Sequence, residues 1–171
     1  GNNAIFGFGN TGSSTKYNVT NLVNDLGAVA SDTTGVGTAR YSLGAASYGI
    51  DKAIFGYGYA STYSSLTNLV SNSGVVATDT TGVGTTRTSS AAPYGTDKAI
   101  FVFGSNGTGW VSMSNKVSNA GVVATDTTGV GTAREAPGAG YGGDKSIFGY
   151  GTNSGSTGLR SEEHTSELQS H

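Results

Sequence analysis

The chain has 171 residues, of which 35% are hydrophobic and 12% are charged, and its formal net charge at pH 7 is −2. This balance provides neither a basic patch for nucleic acid nor an acidic run for a polycationic partner. Cysteine is absent, which excludes disulfide bonds and thiolate metal sites. No apolar run reaches the roughly 18 residues that span a membrane, so no membrane partner is expected.

An internal repeat organises most of the chain. The segment Asp-Thr-Thr-Gly-Val-Gly-Thr-x-Arg occurs three times with a spacing of 47 residues, at 32–40, 79–87 and 126–134. A block that begins with Ile-Phe and ends with an aromatic residue and a glycine occurs four times, at 5–9, 54–58, 100–104 and 147–151. Self-similarity at a period of this length is typical of repeat architectures. Residues 1–159 are therefore interpreted as about three and a half units of one repeat domain.

The copy at 41–87 shows the predicted elements of one unit in chain order. Short strands separated by turns are predicted at 44–48, 52–57, 66–71 and 75–78. In the second strand, alternation places Phe55 and Tyr57 on one face and Gly56 on the other. The glycine face lets a neighbouring sheet approach closely. Because no helical periodicity interrupts these strands, the predicted fold class is all-β.

The predicted architecture is a series of antiparallel four-stranded repeats of about 47 residues. Repeated radially, such sheets form a β-propeller, of which this chain would be a part, and a β-solenoid is the alternative geometry. Propellers close with about four to eight sheets, so three and a half units cannot complete the ring. We therefore expect open sheet faces that favour self-association.

Nearly all of residues 1–159 resembles the kelch-type propeller repeat. Arg40, Arg87 and Arg134 stand where that family has an arginine just before the first strand, and residues 54–58 stand where it has a hydrophobic run ending in two glycines. The sequence departs from the family in two ways: an aromatic residue replaces one glycine of that pair, and the tryptophan of the fourth strand is missing. The resemblance implies a propeller scaffold.

The last segment, 160–171, lacks glycine, although the chain contains 29 glycines. Its sequence, Arg-Ser-Glu-Glu-His-Thr-Ser-Glu-Leu-Gln-Ser-His, resembles the translated read-through of a common short-read sequencing adapter at every codon. A natural charged tail is the alternative. We expect a non-native, disordered tail and exclude it from the interpretation of the fold. Residues 1–159 then contain no histidine, and their eight positive charges balance eight negative ones.

The repeated arginines, Arg40, Arg87 and Arg134, are candidate ligand-binding residues. Around a ring they would form an arc of guanidinium groups that could bind carboxylates, phosphates or acidic sugars. Alternatively, each arginine binds backbone carbonyls or an aspartate of the next unit and so ties the units together. The aspartates that begin the repeat segments are interpreted as caps of their own turns, since one carboxylate per unit is too few for calcium.

Aromatic residues in the variable loops are the other candidate ligand-binding residues. Tyr59 and Tyr63 lie in the loop at 59–65, and Trp110, the single tryptophan, lies in the loop at 105–111. Loops on a rigid scaffold commonly carry recognition, and aromatic side chains commonly contact sugars and proteins. Packing of the loop against its own unit is the alternative interpretation.

No catalytic residue, metal site or cofactor is predicted. Residues 1–159 contain no histidine or cysteine and a single glutamate, and no nucleophile elbow or phosphate-binding loop occurs. The sequence therefore predicts a non-enzymatic repeat scaffold for recognition or structure, with a protein or glycan ligand. A lectin-like module that uses the loop aromatics is the alternative. By analogy with other repeat proteins, the neutral surface rich in threonine and glycine suits an extracellular or virion-surface location.

Overall fold

Short β-strands joined by turns make up the regular structure of the chain. The computed structural model describes residues 4–12, 15–135, 137–140 and 144–153, and these contain no helix and hence none that could cross a membrane. The strands are β1 (Ala4–Thr11), β2 (Thr15–Val23), β3 (Gly44–Tyr48), β4 (Lys52–Gly56), β5 (Thr67–Val70), β6 (Ser90–Tyr94), β7 (Lys98–Val102), β8 (Ser114–Val117), β9 (Gly138–Gly140) and β10 (Ile147–Gly149). The all-β prediction is confirmed. The predicted tail at 160–171 lies outside the described residues.

The strands form four small antiparallel sheets that repeat one pairing scheme. Sheet 1 contains β1 and β2, sheet 2 contains β3, β4 and β5, sheet 3 contains β6, β7 and β8, and sheet 4 contains β9 and β10. In sheet 2, Phe55 lies opposite Ala45 on one side and Asn68 on the other. The corresponding residues of sheet 3 pair in the same way. Equivalent residues of the sequence repeat therefore pair in the same register in sheets 2 and 3.

The fourth strand predicted at 75–78 does not form a regular strand. Val76 of this segment pairs with Val70 of β5, and Thr80, just beyond the segment, pairs with Thr67, but both pairings are isolated bridges. Between these bridges, the side-chain amide of Asn68 donates a hydrogen bond to the carbonyl of Ala77 at 3.1 Å. A continuous ladder would need that carbonyl as a backbone acceptor, so the asparagine interrupts the pairing. The described sheets therefore have two or three regular strands instead of four.

Successive sheets pack face to face, with a phenylalanine of one sheet against a glycine of the preceding sheet. A Cβ atom at Gly56 would lie 2.6 Å from Cζ of Phe101, and one at Gly7 would lie 3.3 Å from Cζ of Phe55. Phe101 is fully buried, and its ring centroid lies 4.9 Å from that of Tyr57. Burial of such a side chain contributes about 1.5–3 kcal/mol. The predicted close approach at the glycine face is confirmed.

An aromatic residue with a left-handed backbone recurs once in every unit. The φ angle lies between 58° and 65° at four such positions, Phe8, Tyr57, Phe103 and Tyr150. This conformation costs roughly 1–3 kcal/mol for a residue other than glycine, so local contacts must hold it. The N–H of Tyr57 donates to the carbonyl of Leu66 at 2.9 Å, and its hydroxyl donates to that of Val83 at 3.0 Å. The strand predicted at 52–57 consequently ends at Gly56.

Candidate functional site

The repeated arginines stack on the left-handed aromatic residues of the preceding unit. The distance from the guanidinium carbon to the ring centroid is 4.4 Å for Arg40 on Phe8, 4.1 Å for Arg87 on Tyr57 and 3.8 Å for Arg134 on Phe103. Desolvated cation–π contacts of this kind contribute about 2 kcal/mol each. These six residues form one feature that crosses every junction between sheets, which we call the arginine–aromatic column.

The guanidinium group of Arg40 is bound on all sides by the protein. Nε donates to the carbonyl of Tyr57 at 2.9 Å, Nη1 donates to that of Thr38 at 3.0 Å, and Nη2 donates to Oδ1 of Asn68 at 2.5 Å. The carboxylate of Asp79 lies 3.7 Å from Nη1. Burial lowers the pKa of Arg40, and the charge of Asp79 opposes that shift, so the side chain stays cationic. Its surroundings stabilise the charge without solvent.

Arg87 occupies the equivalent place one unit further along. Its Nε donates to the carbonyl of Phe103 at 3.0 Å, and its Nη1 donates to that of Thr85 at 3.1 Å. Nη2 of Arg87 and Oδ1 of Asn115 are both buried, and neither has a hydrogen-bond partner among the residues that the structure describes. The equivalent atoms of the preceding unit are bonded to each other. The two atoms are a donor and an acceptor, and they occupy the same places as the bonded pair of Arg40 and Asn68.

The burial of these arginines bears directly on the predicted ligand-binding arc. Arg40 and Arg87 are both 0% exposed, so a ligand could reach them only if the arginine–aromatic column opened. Their contacts correspond to the alternative interpretation, in which the arginines tie the units together. Arg134 is only partly buried, and it donates to the carbonyls of Thr132 and Phe148 at 3.1 and 3.0 Å.

Two of the repeated aspartates bind a threonine 41 residues earlier in the chain. Thr38 donates to Asp79 from its backbone N–H at 2.9 Å and from its hydroxyl at 2.7 Å, and Asn68 donates to the same carboxylate at 2.9 Å. Asp126 accepts equivalent bonds from Thr85. The prediction that these aspartates cap their own turns is wrong, because the capped backbone belongs to the preceding repeat segment. Burial alone would raise the pKa of Asp79, but the bonds from Thr38 and Asn68 outweigh it and lower the pKa.

Half-buried tyrosines from the predicted loop meet a third tyrosine. Ring centroids are 5.5 Å apart for Tyr41 and Tyr59 and 5.1 Å apart for Tyr59 and Tyr63. The ammonium of Lys16 lies 6.0 Å from the Tyr59 ring, at the outer limit of a cation–π contact. We call Tyr41, Tyr59 and Tyr63 the tyrosine cluster. The sequence interpretation missed Tyr41. It follows the repeated arginine at a position that differs in every unit, and this variation is the same signal that pointed to the loops.

Trp110 lies on the next loop along the stack. It is 37% exposed, and it borders an open cleft of about 420 Å³ that is also lined by Met113 and Thr128. The Tyr63 ring packs against Gly107 of the same loop, where an added Cβ would come within 2.6 Å of Cε2. The tyrosine cluster and Trp110 therefore sit on neighbouring loops that touch each other.

The tyrosine cluster and Trp110 form a surface that is suited to stacking and to neutral hydrogen bonds. Half-exposed tyrosine and tryptophan rings offer an apolar face together with a polar edge. Within the described ranges, no three histidine, aspartate or glutamate side chains come together as a metal site would require.

A comparison with protein-family models finds no match, and a comparison with curated proteins finds no significantly similar sequence.

Proposed function

We propose that this chain is a non-enzymatic repeat scaffold, part of a larger kelch-like β-propeller, whose loops recognise a protein or a glycan. The observation that carries the proposal is the recurrence of one set of contacts between successive units. The arginine–aromatic column and the threonine–aspartate bonds use five of the charged residues, three arginines and two aspartates, to join units. Arg40 and Arg87, which these contacts bury completely, have no exposed surface left for catalysis or for ligand binding.

The relative placement of the sheets supports the radial arrangement over the solenoid. The first strands of successive sheets, β3, β6 and β9, lie close together, whereas the third strands β5 and β8 are farther apart. Sheets that converge at one edge and diverge at the other fan out around an axis, as the sheets of a propeller do. Solenoid coils would stack with nearly constant spacing along their length.

The experiment that tests this geometry measures size against copy number. Chains that carry four to eight tandem copies of residues 41–87 would be compared by small-angle X-ray scattering. A propeller predicts a radius of gyration that levels off when the ring closes, together with a maximum in thermal stability at that number. A radius that grows linearly with every added copy would establish a solenoid and refute the proposal.

A second candidate function, carbohydrate binding, is favoured by the tyrosine cluster and by Trp110. Aromatic rings that are half exposed on adjoining loops can stack on the apolar faces of sugars. A glycan array would be screened with the natural chain, with Tyr63→Ala and Trp110→Ala, and with Tyr17→Ala as an exposed aromatic control outside these loops. A specific signal lost in the two loop variants and kept in the control would establish the lectin. Absence of any signal would leave the scaffold proposal standing.

A further inference from the structure

A lysine of the neighbouring unit borders the tyrosine cluster. Lys16 lies on β2, and its ammonium group is 6.0 Å from the centroid of the Tyr59 ring. Lys98 and Lys145 each lie beside an aspartate, at 2.8 and 3.1 Å. Lys16 has no such carboxylate partner in the part of the chain that the structure describes. Its charge is therefore free to attract an anion from solution.

The hydroxyl groups of the tyrosine cluster are available as well. The fully buried Tyr57 uses its hydroxyl to donate to the carbonyl of Val83 at 3.0 Å. By contrast, the hydroxyls of Tyr41, Tyr59 and Tyr63 have no hydrogen-bond partner among the described residues, although each side chain is half-buried. A hydroxyl at the edge of an aromatic ring can both donate to and accept from a polar ligand that lies on the ring.

Described units enclose the cluster on both sides. Lys16 of the first unit borders the Tyr59 ring, and the Tyr63 ring lies against Gly107 of the third unit, where an added Cβ would come within 2.6 Å of Cε2. The exposed part of the cluster therefore faces solvent, with both of its neighbouring units already in place.

Lys16 holds the loop position that Tyr63 and Trp110 hold in the next two units. Each of these three residues pairs with the residue that opens its own loop, and these partners are Asn10, Tyr59 and Ser105. Of the three equivalent positions, only the first carries a charge. The junction between the first two units thus differs from the next one by a positive charge beside an aromatic ring.

From these contacts we propose that Lys16 and the tyrosine cluster bind a pyranose that carries a carboxylate, as a uronic acid does. The apolar face of the sugar stacks on a half-exposed ring of the cluster, and the sugar carboxylate accepts a hydrogen bond from the Lys16 ammonium. The tyrosine hydroxyls pair with the sugar hydroxyls. This inference rests on the carbohydrate binding proposed above, and it specifies the class of sugar that the same surface takes.

The test compares two sugars that differ only in the carboxylate, methyl β-D-glucuronide and methyl β-D-glucoside. Each is titrated into the whole chain, and NMR should show amide shifts at Tyr41, Tyr59 and Tyr63. The glucuronide should bind about threefold to fivefold more tightly, which is within the range of an exposed ion pair. This preference should shrink as salt is added, because dissolved ions screen exposed charges.

Lys16→Met separates the charge of the lysine from its packing, because methionine keeps an unbranched apolar stem beside Tyr59. This variant should lose the preference for the glucuronide and keep its affinity for the glucoside. Lys116→Met is the matched control, since it removes an exposed lysine of β8 that is not part of the proposed site, and it should keep the preference.

The outcomes separate this inference from the carbohydrate-binding function. Equal binding of the two sugars, or a preference that survives Lys16→Met, would overturn the role of Lys16 and leave the lectin proposal intact. Shifts away from the tyrosine cluster, or failure of both sugars to bind at millimolar concentrations, would overturn the site itself. In that case, the glycan array with Tyr63→Ala decides separately whether carbohydrate binding fails too.

Discussion

Substitution of Gly56 by alanine tests the packing between sheets most directly. The new methyl group would lie 2.6 Å from Cζ of Phe101 and 3.0 Å from Cγ2 of Thr67. An ordinary carbon–carbon contact needs roughly 3.5–4.0 Å, so the ring would have to move by about 1 Å. Phe101 is fully buried with Tyr57 beside it, and the space for such a movement is occupied. Overpacking of this kind costs about 1–3 kcal/mol.

Gly149→Ala is the matched control, because Gly149 occupies the same place in β10 and a Cβ there meets no atom of the described residues within 4 Å. Neither glycine has a positive φ, so backbone strain does not separate the two variants. Urea denaturation should show Gly56→Ala less stable by about 1–3 kcal/mol and Gly149→Ala within about 0.5 kcal/mol of the natural chain. Equal effects of the two substitutions would refute the face-to-face packing of glycine and phenylalanine as the source of stability.

Three further predictions concern the junctions and the outer face of the first sheet. Asp79→Asn should lower the free energy of unfolding by about 1 kcal/mol at pH 7. Because the pKa of Asp79 is lowered in the folded state, the carboxylate stabilises the fold above the unfolded pKa of 3.8, and this stabilisation disappears as the pH falls through the folded pKa. The urea midpoints of the two proteins should therefore converge in acid. Arg87→Met should lower the free energy of unfolding by about 2–3 kcal/mol, because the carbonyls bound by this buried side chain lose their donors. Arg134→Met should lower it by under about 1 kcal/mol. Equal losses in urea denaturation would contradict the role of burial. Phe6→Ser should abolish self-association, measured by light scattering, without changing stability. The reason is that Phe6 is 64% exposed, whereas its equivalent Phe55 is 3% exposed. A chain without substitutions that is monomeric at high concentration would disprove this expectation.

The regular strands could be predicted because they depend on short-range pattern. Hydrophobic runs bounded by glycine and asparagine turns located β4 and β5, and the glycine at position 56 indicated a close neighbour. The prediction failed where a side chain competes with the backbone. Asn68 takes the carbonyl of Ala77, and nothing in the sequence of 75–78 alone reveals that competition.

The candidate site was less predictable because its contacts join residues that are far apart in the chain. Asp79 and Thr38 are 41 residues apart, so a local interpretation assigned the carboxylate to its own turn. Whether the arginines are accessible to a ligand depends on their burial, which only the packing of the sheets determines. In the folded chain, Arg40 has no exposed surface. Tyr59 and Tyr63 do come together, since they lie in one short loop.

The threonine–aspartate bond has a consequence for how this chain can change in length. Each bond joins a residue near the end of one repeat segment to one at the start of the next, and the two described bonds have the same form. Loss or gain of one whole unit by unequal recombination would bring an equivalent threonine and aspartate together and leave every remaining junction intact. These contacts therefore tolerate a change of one whole unit, whereas an insertion of any other length at a junction would separate the threonine from its aspartate.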